Sequence, residues 1–154
     1  MAQTPVEPAL TDQLDQKLIE FLNELRVALP GVQVLFAFLL AVPFASGWER
    51  VTRFQRDVFF IAFLCTAAAT MLLIAPSAYH RLRWKDDDLK GLLEIANRLT
   101  IAGISFLALG MTAVVLLITD LLFSSGPAIV VTGVVALGFG WFWYGLALRG
   151  RARG

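Results

Sequence analysis

Four long stretches of this chain carry no charged residue at all: residues 27–45, 58–79, 99–119 and 121–148. A helix gains only about 1.5 Å per residue, so about 20 apolar residues are needed to cross a hydrocarbon core of about 30 Å. Each stretch meets that length. A helix also satisfies its own backbone donors and acceptors where lipid offers none. The pattern therefore predicts an all-α integral membrane bundle of four transmembrane helices, with spans at about 27–45, 58–76, 99–119 and 127–148. Hydrophobic residues make up 58% of the chain, far above what a soluble domain carries.

The segments outside the spans have their own patterns. Residues 1–11, with Pro5, Pro8 and no periodicity, read as a disordered leader, and residues 12–154 as one membrane domain. Leu14, Leu18, Phe21, Leu22, Leu25 and Leu29 share one helical face, which makes an amphipathic lead-in helix before span one. Pro30 lacks a backbone donor and predicts a kink there, and Pro76 predicts the end of span two. Asp86, Asp87 and Asp88 precede the apolar positions Leu89, Leu92, Leu93, Ala96 and Leu99. They read as the acidic start of a second amphipathic lead-in, before span three.

Small residues recur at a spacing of four on span two (Ala62, Thr66, Thr70) and on span four (Thr132, Ala136, Gly140), a pattern that suits close helix approach and a homo-oligomer. Ser105, Thr112 and Thr119 form a hydroxyl seam on span three. Ten of the 13 basic residues fall in the N-terminal segment, the loop after span two and the C-terminus. By the positive-inside rule both termini of this multi-pass chain are expected to be cytoplasmic.

Several chemistries are unsupported. Cys65 is the only cysteine, so no internal disulfide, redox pair or cysteine zinc site is expected. Three consecutive aspartates point in different directions on a helix and do not make a metal site. The glycines lack phosphate-loop spacing, and no Ser, His and Asp set falls on one side of the membrane. The net charge of +1 comes without a basic domain, which leaves nucleic acid out. No catalytic residue, metal or cofactor is expected, and the chain is read as no enzyme. Its partners are the lipid bilayer, a second copy and an unidentified protein.

Charge at mid-bilayer is costly and usually functional. Here every span centre is uncharged, so the usual carboxylate for proton or sodium coupling is missing. Asn23, Arg26 and Gln33 lie on one arc of the first helix. This polar stripe either lines a vestibule, or has Arg26 reaching headgroups while Gln33 bonds a neighbouring helix. Glu24, Tyr79, His80, Arg81, Asn97 and Arg98 fall at the cytoplasmic interface. There Glu24 is expected to pair with Arg98 or Arg81, and a change in the protonation of His80 would alter its contacts with lipid or with Glu24. Asp120 is an acid at the opposite, outer face.

The segments LNELRVALPGVQVLFAFL (residues 22–39), APSAYHR (75–81) and ANR (96–98) are similar to those of a known family. Over residues 12–123 the chain resembles the small multi-pass actinobacterial membrane proteins grouped as domain of unknown function 6328. Some relatives carry an automatic sodium:proton antiporter label. The leading expectation is a non-enzymatic structural or interaction component of the membrane. The competing one is a small ion transporter or channel that uses Gln33 and the hydroxyl seam in an oligomeric pore.

Overall fold

A computed structural model describes residues 6–82, 89–123 and 125–145. Among the described residues the chain is helical throughout: α1 (Val6–Ala41), α2 (Arg53–Leu82), α3 (Leu89–Leu122) and α4 (Ser125–Phe139), the last widening into a π-helical stretch, Gly140–Gly145. Four segments are long and apolar enough to cross a membrane: Asn23–Phe44, Arg53–Ala78, Leu93–Leu122 and Ser125–Trp143. They mark a membrane protein.

The helices are longer than the sequence pattern suggests, and two expectations change, the leader and the end at Pro76. Helix α1 begins at Val6, so residues 6–11 belong to it rather than to a disordered leader. Pro8 falls in its first turn, where a missing N–H leaves no intrahelical bond unmade. Helix α1 then continues through Pro30, which makes lead-in and span a single helix. Likewise α2 does not stop at Pro76 but runs on to Leu82. Proline is tolerated in a membrane helix because neighbouring helices and local adjustment re-satisfy the freed carbonyl. Lead-in and span three are also continuous, as the 34 residues of α3. Asp86, Asp87 and Asp88, residues 146–148 of the last span, and the side chains of Tyr79, His80 and Arg81 lie outside the described residues.

Helix α1 ends where Pro43 enters a short 3-10 turn, Val42–Phe44. Gly47 then takes φ +102°, a left-handed conformation open to glycine at little cost. A second 3-10 turn, Trp48–Arg50, leads to α2. This loop is not merely a solvent excursion: the Trp48 ring meets Phe59 edge-on at 4.8 Å.

Antiparallel α2 and α3 form the centre. Ala62, Thr66 and Ala69 of α2 are completely buried, and Gly103 and Gly110 of α3 lie against this helix. A Cβ at Gly110 would stand 2.9 Å from Thr66 Oγ1 and 3.4 Å from the Ala62 carbonyl oxygen. The small-residue row of span two therefore serves contact inside the chain, and little of it is left for a second copy. Helix α1 lies across this pair through two apolar clusters. Leu25, Val32, Ala69 and Leu73 fill the half nearer the end of α2. Leu39, Val58, Phe59 and Leu117 fill the half nearer the α1–α2 and α3–α4 connections. Helix α4 packs on α3 and, among the described residues, touches neither α1 nor α2. The result is a three-helix core with α4 on its flank.

Candidate functional site

The most developed polar structure sits where α2 begins. Thr52 precedes its first turn and Gln55 follows three residues later, the spacing of a capping box. The Gln55 backbone N–H donates to Thr52 Oγ1 at 3.2 Å, and the Thr52 N–H donates to Gln55 Oε1 at 3.0 Å. Two backbone donors that the helix cannot use are thereby satisfied. Thr52→Ala is expected to lower stability by about 1 kcal/mol, the usual value of such a cap, read as a fall in the thermal midpoint in detergent.

Gln55 does more than cap. Its side chain is only 8% exposed, and its Nε2 donates to Asp120 Oδ2 at 2.9 Å, across 65 residues of chain. With Oε1 accepting from Thr52 and Nε2 facing a carboxylate, the amide has one consistent orientation. Ser125 Oγ, in the first turn of α4, donates to the other carboxylate oxygen, Oδ1, at 3.1 Å. Asp120 thus ties together the start of α2, the end of α3 and the start of α4. Near its own helix C-terminus a carboxylate is unfavourably placed, but the positive ends of α2 and α4 lie beside it and oppose that effect. Sequence reading picked out Asp120 but missed Gln55 and Ser125. The signal for Gln55 was present as T-x-x-Q ahead of an apolar run.

The hydroxyls of span three face a different task. Ser105 Oγ donates to the Ile101 carbonyl at 2.7 Å, Thr112 Oγ1 to Ala108 at 2.7 Å, and Thr119 Oγ1 to Val115 at 2.8 Å. These donors bond their own helix, one turn back. The structure does not bring them together with Gln33.

Gln33 points elsewhere. Leu25, Val32 and Leu39 form the buried side of α1, whereas Asn23, Arg26, Pro30 and Gln33 are all exposed. The predicted stripe therefore exists on one face, directed away from the chain's own bundle. Gln33 is the eleventh of the 22 residues of its span. Its side chain has no hydrogen-bond partner among the described residues.

The remaining candidates do not assemble. Glu24 and Asn97 are exposed. Arg98 does not pair with Glu24, because Nη2 bonds Glu94 Oε1 at 2.6 Å within α3. A partner one turn away on the same helix can be reached without ordering a contact between helices. Both side chains are more than two-thirds exposed, so the pair adds little. Among the described residues no three His, Cys, Asp or Glu side chains come together as metal ligands would.

A family model described as a family of unknown function, DUF6328, matches residues 8–147. No curated protein and no solved structure matches the chain.

Proposed function

Since this chain belongs to DUF6328, a family of unknown function, we propose from its own geometry that it is a multi-pass integral membrane protein acting as a structural or interaction component, not as a catalyst. The observation that carries this reading is the outward polar stripe of α1. Lipid tails cannot hydrogen-bond an amide at mid-span, and a buried polar group without a partner costs free energy. A protein partner on that face removes the cost. The excess of basic residues in the N-terminal segment, the connection after the second span and the C-terminal segment supports cytoplasmic termini, and the resemblance to actinobacterial membrane proteins supports a bacterial plasma membrane.

Two measurements test the reading. Extracted from native membranes in mild detergent, the chain is expected to run in an assembly larger than one copy. Purified and reconstituted, it is expected to leak sodium, potassium and protons no faster than empty liposomes, with wild type and Gln33→Leu alike. Flux that Gln33→Leu changes would replace this proposal with an oligomeric pore, the competing class.

A further inference from the structure

The geometry points to a second copy of this chain as the occupant of the α1 face, docked in parallel about a two-fold axis along the membrane normal so that the two Gln33 amides pair at mid-span. This deepens the interaction reading above and rests on it.

Depth is the first reason. Gln33 lies about 10 Å beyond Arg26, the last charged residue before the apolar run, and about 16 Å before Phe44 at about 1.5 Å per residue, so its amide cannot reach the headgroups as a long basic side chain can. Its partner must offer a donor and an acceptor at that same depth. Two copies inserted with the same topology present Gln33 at one depth automatically, and a two-fold axis sets each patch against itself.

Chemistry is the second reason. An amide carries one carbonyl acceptor and an NH2 donor, so two of them related by a two-fold form a reciprocal pair that leaves neither side in excess. Interhelical bonds of this kind contribute to association in lipid.

The surroundings agree. Ala37 and Ala41 lie one and two turns beyond Gln33 on the same face, both exposed, and small side chains let two backbones approach. Val34 and Phe38, 55% and 70% exposed, flank the row with apolar surface. Arg26 sits near the edge of the span, where phosphate headgroups separate and neutralise the two copies' charges. Among the described residues the Thr100 and Thr132 hydroxyls also lack a partner. A threonine hydroxyl can turn to its own helix one turn back, as Thr112 and Thr119 do, which the longer Gln33 amide with its two kinds of polar group does not do. The α2 row is buried against α3, and around Gly133, Gly138 and Gly140 of α4 there is open space but no mid-span amide to satisfy.

Disulfide trapping in native membranes tests the pairing. In a Cys65→Ser background the native thiol is absent, and Ala37→Cys reports on the proposed face. Leu109→Cys on α3, 59% exposed, serves as a control on another lipid-facing surface. Mild oxidation is expected to give a dimer of twice the chain mass with Ala37→Cys and at least about tenfold less with Leu109→Cys. Adding Gln33→Leu to Ala37→Cys is expected to lower the dimer yield about tenfold, as loss of an interhelical amide pair implies. Gln33→Asn should retain most of it. Because Gln33 is exposed within the chain, thermal unfolding of each variant, measured in detergent at a dilution where wild type is monomeric, should match wild type, which separates lost pairing from lost folding. Dimer formation unaffected by Gln33→Leu would overturn the amide pair. Adducts only with a different protein would overturn self-association while leaving the interaction reading standing, and no adduct of either kind at Ala37→Cys would sink both.

Discussion

Gly110→Leu is expected to destabilise this protein more than any other single substitution in the α2–α3 contact. The new Cβ alone would stand 2.9 Å from Thr66 Oγ1 and 3.5 Å from Cys65 Cβ. Thr66 cannot simply turn away, because its hydroxyl donates to the Ala62 carbonyl at 2.8 Å and its side chain is completely buried. The two helices must then separate, which also loosens the packing of Ala62 and Ala69. Inserting methylenes into a filled core costs about 1–3 kcal/mol and occasionally more, and leucine at this site belongs at the upper end. Thermal unfolding in detergent measures it as a large fall in the midpoint. Gly103→Ala should cost less, since the nearest atoms there are the branched end of Leu73, at 2.9 and 3.0 Å. Gly133→Leu should be nearly neutral, with nothing within 4 Å of its Cβ. A wild-type midpoint for Gly110→Leu would show that α2 and α3 do not approach this closely.

Gln55→Leu is expected to have the second largest effect. It removes the donor to Asp120 Oδ2 and, with it, the acceptor for the Thr52 N–H. The carboxylate keeps Ser125 alone, and a backbone donor at the start of α2 loses its partner. Hydrogen bonds to charged groups contribute about 1.5–3 kcal/mol, and a stranded partner raises the cost of losing them. Asp120→Asn should be milder, because its remaining carbonyl oxygen still accepts from one neighbour. The sharper measurement is a double-mutant cycle of Gln55→Leu with Asp120→Leu, which isolates the pair from the cap. Coupling of about 1.5 kcal/mol or more is expected. Additive effects would mean that the two helices are held by apolar packing around Phe59 and Leu117 and that the polar tie contributes nothing.

These variants also separate the two polar features. The Gln55–Asp120–Ser125 tie lies at the loop end of the chain and holds three helix ends together. Gln33 lies on an exposed face of α1 and bonds nothing among the described residues. A change at Gln55 should therefore lower stability and leave self-association of folded protein intact. Gln33→Leu should do the reverse. Fixing α2, α3 and α4 at one end also makes a rigid base against which α1 presents its outer face. That is the mechanical arrangement an interaction component needs.

Much of the architecture was legible without coordinates. Uninterrupted apolar runs are a direct record of bilayer thickness, so the number and approximate limits of the spans followed from the positions of the charges. The polar arc of Asn23, Arg26 and Gln33 was readable for a similar reason, since helical periodicity alone places residues on a shared face. The helix limits were less legible. Pro8 reads as part of a disordered leader and Pro76 as the end of a span, yet each lies inside a helix, because a proline in a first turn leaves no bond unmade and one inside a lipid span can be accommodated by its neighbours.

Which face of each helix meets protein and which meets lipid was decided only by tertiary structure. In water, burial sorts apolar from polar residues and so writes the core into the sequence. In a membrane both environments are apolar, and that sorting is lost. Thus Ala62 and Thr66 turned inward against Gly110, while Gln33 turned outward. For the same reason Gln55, outside any uncharged stretch, drew no attention until α2 and α3 brought it beside Asp120. The sequence determined that four helices could cross a membrane; side-chain shape and a few polar contacts across tens of residues determined how they meet.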